Sequence, residues 1–190
     1  IITGGASGIG RAICARLGEE GCLVGILDLN SAGAEETADG IRKSGGHAKA
    51  LTCDISNYDE VKKAVAEIEN ANGPSDILVN NAGVGRFKNV VDQSVEEWKE
   101  VIETNLHAVF FCCQAAIPVM RGRGGGWIVN ISSLAGGHPF AGGAAYCASK
   151  AAVGALTRCL AVEWARKHIQ VINVAPGYVA TELNTGYLSR

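Results

Sequence analysis

The chain has 190 residues, enough for one domain with a real core and too few for two ordinary ones. Hydrophobic residues make up 47% and charged residues 19%, which is the composition of a packed domain and not of a disordered segment. A formal net charge of −2 gives no cationic footprint for nucleic acid or an anionic membrane, and the longest apolar stretch, 108–120, contains Gln114 and falls short of the ~20 residues that span a bilayer.

In chain order, short apolar or β-branched runs at 1–3, 22–27, 48–53, 77–79, 127–131 and 169–174 are expected strands. Helix-period stretches lie between them, at about 9–19, 31–44, 57–71, 94–121 and 145–167. Continuous apolar strands suit a parallel sheet buried on both faces. Strand–helix alternation then calls for right-handed crossovers, so the expected fold is α/β: a doubly wound parallel sheet with helices on both faces, Rossmann-type, in a single domain over 1–190. The chain begins inside an apolar strand without Met and stops at Arg190 with no closing structure, so both ends are read as incomplete.

Ligands of such sheets bind beyond the carboxyl ends of the strands. Marked residues gather there: Thr3-Gly4, Asp28, Asp54, Asn80-Asn81-Ala82-Gly83, Ser132-Ser133 and Pro176-Gly177 each follow a strand. The loop from Thr3 through Gly4, Ser7, Gly8 and Ile9 to Gly10 joins the first strand to the first helix. Gly4 permits a tight turn, Gly8 lets the backbone approach a pyrophosphate, and Gly10 lets helix and strand pack closely. The helix N-terminus then offers free N–H groups to phosphate. Asp28 ends the second strand about 20 residues on, where a ribose hydroxyl is met; the plainer alternative is a cap for the next helix.

Tyr146 and Lys150 stand four apart at the start of a helix and share one face. A tyrosine is a poor base near neutrality, and a neighbouring ammonium stabilises its phenolate. Ser133, at the end of the fifth strand, can donate to a substrate oxygen as charge develops. The seven cysteines (14, 22, 53, 112, 113, 147, 159) are odd in number and form no C-x-x-C pair, so they read as small apolar residues in a reducing compartment. Neither they nor the four histidines cluster at metal-ligand spacing, and no metal is expected.

Together, Thr3-Gly4-x-x-x-Gly8-x-Gly10, Asp54, Asn80-Asn81-Ala82-Gly83, Asn105, Ser133, Tyr146-x-x-x-Lys150 and Pro176-Gly177-x-x-x-Thr181 resemble the short-chain dehydrogenase/reductase family across essentially the whole chain. The resemblance implies seven strands, six of them visible, and hydride transfer between NAD(H) and an alcohol or carbonyl compound. By the same resemblance Tyr146 is the general acid/base, Ser133 holds the substrate oxygen, and Lys150 lowers the tyrosine pKa and binds the nicotinamide ribose. Asn105 holds a water linking Lys150 to solvent; read plainly it is a polar cap that kinks the long helix, and the two roles are compatible. Asp54 meets the adenine edge with Ile55 beside it, and Asn81, Ala82 and Gly83 pass the adenosine ribose. Pro176, Gly177, Val179 and Thr181 hold the nicotinamide end.

The family pattern places an asparagine four residues before the Pro-Gly; here that position is Ile172, and Asn173 follows, which puts the amide on the opposite face of the strand. NAD(H) is expected over NADP(H), because Asp28 suits two ribose hydroxyls while Ser7 and Leu29 occupy positions where a phosphate site needs cations. The pocket is expected from 84–88, 134–145 and the segment after Thr181, with Arg86, Phe87, His138, Tyr178 and Tyr187. That mixture suits a small polar substrate such as a sugar, polyol or hydroxy acid; a 3-oxoacyl-[acyl-carrier-protein] reductase-like activity and a catalytically inactive dinucleotide-binding sensor are the alternatives. Analogy with the family further implies a homotetramer or homodimer in the cytoplasm.

Overall fold

The computed structural model describes residues 1–181. Six strands form one parallel sheet: β1 (Ile2–Thr3), β2 (Leu23–Asp28), β3 (His47–Thr52), β4 (Ile77–Asn80), β5 (Gly126–Ile131) and β6 (Ile169–Val174), in the order β3-β2-β1-β4-β5-β6. The order reverses between β1 and β4, so the connections leaving these strands diverge and open a crevice at their carboxyl ends.

Helices α1 (Gly8–Glu19) and α2 (Ser31–Lys43) cover one face, where Cys14, Ala34, Ala38 and Ile41 pack on Ile2, Val24, Ile26 and Val79. On the other face α3 (Tyr58–Asn72), α5 (Ala108–Gly122) and α6 (Ala144–Trp164) close over Leu27, Leu78, Ile128 and Ile169, and α4 (Val95–Ile102) packs against α6. Each fully buried aliphatic side chain contributes about 1.5–3 kcal/mol, so the two layers, and not helix propensity, carry the fold. Burial pushes the Cys14 and Cys53 thiols up, to about 12 and about 11, as expected of packing residues and not reactive ones.

The long helix expected over 94–121 is two helices joined by one π turn, Glu103–His107. Ser94 opens α4 with a reciprocal capping box to Glu97. The π turn carries Asn105, whose fully buried side chain leaves the helix to bind a neighbouring loop.

A buried polar row crosses the second layer. Asn80 Nδ2 donates to Asn130 Oδ1 (2.8 Å), its register partner on β5, and Asn130 Nδ2 donates to Thr157 Oγ1 (2.9 Å) on α6. Thr157→Val keeps the shape but leaves the Asn130 amide without its acceptor. A loss of about 1–3 kcal/mol is expected, read as a lower denaturant midpoint at unchanged slope.

The displaced asparagine near the end of β6 does not disturb the sheet. Pairing with β5 continues through Asn130↔Asn173 and Ile131↔Val174. The Asn173 amide instead donates to Ser132 Oγ (2.8 Å), a partner that Ile172, pointing to the other face, could not reach.

Candidate active site

The crevice runs from the glycine loop to the start of α6. Gly4 has φ +69°, and a Cβ there would lie 2.7 Å from Ala82 Cα, so only glycine lets β1 and β4 end side by side. Gly10 is equally constrained, since its Cβ would fall 2.0 Å from Gly4 O. Gly10 does not line the crevice; it sets how closely α1 packs beneath the loop that does. Thr3, which the sequence placed only in the motif, accepts the Asn81 and Ala82 N–H groups on Oγ1 (3.0 and 3.1 Å). Asn81 Nδ2 answers by donating to Thr3 O and Gly4 O (both 3.1 Å).

Gly4, Ser7, Gly8 and Ile9 line the crevice after β1, and Asp28, Leu29 and Ile55 line it after β2 and β3, farther from β5. Asp28 is held from below: Oδ2 accepts the Ala6 N–H (2.9 Å) and Oδ1 the Asn30 N–H (2.8 Å). The cap of α2 is Asn30, which accepts from Gly33 N (3.1 Å), so the capping alternative for Asp28 is set aside. Asp54 does not line the crevice. Its Oδ1 accepts from Ser56 N and Oγ (2.9 and 2.7 Å), closing a local turn, and Cys53, which the sequence gave no role, lines the wall in its place.

After β5 and β6 stand Ser133, Tyr146, Lys150, Pro176, Gly177, Val179 and Thr181, with Ala82 and Gly83 after the neighbouring β4 beside them. Ser133 hydrogen-bonds Tyr146, and the Lys150 Nζ lies 5.8 Å from the centre of the tyrosine ring. Nζ donates to Ile131 O (2.9 Å), so the ammonium is fixed by the backbone of β5. Asn105 does not reach the crevice. Its Oδ1 accepts Val84 N (2.8 Å), and its Nδ2 donates to Val84 O (2.9 Å) and Ser149 Oγ (3.1 Å). Both amide hydrogens are thereby used on protein partners, which favours the helix-kinking role of the side chain.

Two further ties join the ends of β5 and β6. Ser132 N donates to Val174 O (2.8 Å) and Leu134 N to Pro176 O (2.9 Å), with the Asn173–Ser132 bond between them. The serine segment and the Pro-Gly segment therefore share one rigid frame. Arg86 is not in it: Nε and a terminal nitrogen grip Glu100 at 2.9 and 2.5 Å, and Arg86 lines neither the crevice nor its side pocket. The expected substrate contact through Arg86 is corrected accordingly; His138 does line the side pocket, and Tyr187 lies outside the described residues.

The model of the short-chain dehydrogenase family matches residues 1–189. The chain belongs to the short-chain dehydrogenase/reductase family. A 3beta-hydroxysteroid dehydrogenase of Mediterraneibacter gnavus is 40% identical over 184 residues, 96% of this chain and 66% of its own length. A 3-oxoacyl-[acyl-carrier-protein] reductase of Staphylococcus aureus is 38% identical over 187 residues, 96% of this chain and 75% of the relative. The solved structure of levodione reductase superposes with a TM-score of 0.93 at 31% identity, covering 96% of this chain and 72% of that one. The chain thus spans about two thirds to three quarters of the length of these proteins.

In this member of the family, burial sets the electrostatics of Tyr146 and Lys150. Desolvation raises the Tyr146 pKa, against which the Ser133 hydrogen bond works. Desolvation also lowers Lys150 from 10.5 to about 8. An unfolded lysine keeps its proton up to about 10.5, so between these values the unfolded chain binds more protons than the folded one. Stability therefore falls as pH drops from about 10.5 to about 8, by roughly 3 kcal/mol in all, and stays at the lower level beneath. Relative to Lys150→Met, the cofactor-free wild type is expected to gain stability as pH is raised through this window. Parallel unfolding midpoints of the two proteins across it would contradict the buried ammonium.

Proposed function

We propose that the chain transfers a hydride between NAD(H) and a secondary alcohol or the matching ketone. One arrangement carries the reading: Ser133, Tyr146 and Lys150 line the same crevice as the glycine loop and Asp28, and in the strand order the glycine loop lies between Asp28 and Ser133. When bound, the nicotinamide supplies the hydride acceptor or donor. The chain's own residues manage the proton and the charge. In alcohol oxidation the Tyr146 phenolate takes the hydroxyl proton; in reduction the phenol returns it to the carbonyl oxygen. Ser133 Oγ donates to that oxygen as negative charge builds. Lys150 stabilises the phenolate through its positive charge, held by Ile131 O, and binds the nicotinamide ribose. Asp28 accepts the adenosine ribose hydroxyls.

Reduction of a 3-oxoacyl thioester is the second reading, favoured by the Staphylococcus aureus relative. A sensor that has abandoned the chemistry is disfavoured by the intact tyrosine, lysine and serine. NADH formation or consumption across secondary alcohols, ketones and a 3-oxoacyl thioester tests the activity, and dinucleotide binding without turnover of any of them would leave the sensor. The partly exposed Trp98 and Phe110 on α4 and α5 supply apolar surface for a homotetramer or homodimer, measurable by light scattering. Seven free cysteines suit a reducing compartment, the cytoplasm.

A further inference from the structure

Beside Tyr146 the crevice opens into a side pocket of about 80 Å³. On the oxidoreductase reading above, this pocket receives the part of the substrate attached to the reacting carbon. We propose that this part is a single uncharged alicyclic or aromatic ring, so that the substrate is a ring-bearing secondary alcohol or ketone and not a sugar, polyol or acyl thioester.

The walls set the chemistry. Phe87, Phe140, Leu134 and Pro176 supply apolar surface, and the described lining contains no carboxylate, ammonium or guanidinium. The two cations beside Phe87 in sequence are drawn away to α4, Arg86 by Glu100 and Lys88 by Glu97 (2.6 Å). Ser133 and Tyr146 are committed to the reacting oxygen, which leaves His138 and Tyr178 as the polar side chains of the lining. A polyol would bury several more hydroxyls than these two can meet, and each unmatched one lowers affinity by about tenfold or more.

The arrangement of the aromatic rings favours a ring over a chain. Phe87 stands edge-on to Tyr146, centroids 5.6 Å apart and planes at 74°, and leans on Phe140 at 5.6 Å and 56°. The aromatic wall is thus continuous with the reacting phenol, and a ring bonded directly to the carbinol carbon, or containing it, lies against it. Phe87 is 38% exposed and Leu134 46%, apolar surface that such a ring would cover. The part of the pocket formed by the described residues is on the scale of a single ring, the ~150 Å³ benzene cavity being the nearest reference. A rigid ring also loses little conformational freedom on entry.

The test assays the purified protein with NAD(H) on cyclohexanol, 1-phenylethanol and their ketones, against sorbitol, 3-hydroxybutyrate and a 3-oxoacyl thioester. The ring compounds are expected to lead in kcat/KM, and Phe140→Ala to lower their kcat/KM by about 10–200-fold, mainly through KM. Preferential turnover of the polyol, hydroxy acid or thioester would overturn the ring assignment and leave the oxidoreductase reading standing. If nothing is turned over, saturation-transfer NMR of acetophenone decides the assignment. Transfer to its ring protons that is lost in Phe140→Ala would support the ring pocket while the oxidoreductase reading fails; absence of transfer in wild type would overturn the pocket assignment as well.

Discussion

Replacing Tyr146 by phenylalanine is expected to lower kcat by about 10²–10⁴, the usual worth of general acid–base catalysis, with dinucleotide affinity little changed. The substitution is selective here because the ring is held by its edge contact with Phe87 and by the first turn of α6, neither of which uses the hydroxyl. Only the proton carrier and its hydrogen bond to Ser133 are removed. Lys150 keeps its own anchor on Ile131 O, so the ribose contact proposed for it survives. Single-turnover hydride transfer, measured beside dinucleotide binding, separates loss of chemistry from loss of cofactor. A variant that keeps more than a tenth of the wild-type rate would take the tyrosine out of the mechanism.

Discrimination between the two nicotinamide cofactors is expected to be of similar size, with kcat/KM for NAD exceeding that for NADP by about two decades or more. A 2′-phosphate would set a charge of about −2 against the Asp28 carboxylate, and like charges in contact cost several kcal/mol. Among the described residues no cation lines the crevice near Asp28. Leu29 lines the crevice at the position after Asp28, and Arg11 is spent on Ala6 O (2.6 Å) and Glu36 (3.2 Å). Asp28→Asn is the cleaner probe, since an amide oxygen can still accept the Ala6 N–H that fixes the glycine loop, whereas alanine would release it. Because Asn30 caps α2, neither variant uncaps a helix. The NAD preference is expected to shrink in Asp28→Asn; equal use of both cofactors by the wild type would sink the assignment.

The layered α/β fold and the positions of its six strands were legible because each strand is a short continuous apolar run set between helix-period stretches. The glycine loop and the Ser133–Tyr146–Lys150 group were legible because their spacing is local or shared with a whole family. What escaped is long-range. The break between α4 and α5 leaves the apolar pattern nearly intact, and its cause, Asn105 gripping Val84, joins residues 21 apart. Arg86 looked available until α4 brought Glu100 to it. The displaced asparagine raised a doubt about β6 that pairing with β5 removes, and its partner Ser132 lies 41 residues away. Asp54 stands at the family's position, yet a serine two residues on claims one of its oxygens.

The buried row Asn80–Asn130–Thr157 has a consequence for which pairings the chain accepts. Asn80 Oδ1 has no partner in the core, so the row is an imperfect source of stability. Its value lies in what it penalises. A slip of β5 by one residue against β4 would turn Asn130 to the opposite face, stranding the Asn80 amide and emptying the bond to Thr157 at once. Flanking aliphatic residues such as Ile128, Val129 and Ile131 would tolerate that slip far better, since one apolar contact replaces another. A polar pair in an apolar layer thus works as a key between neighbouring strands, in the way a single buried asparagine fixes the alignment of paired helices. Because Ser133 follows Asn130 by three residues, just beyond the end of β5, the same key fixes how far Ser133 reaches into the crevice.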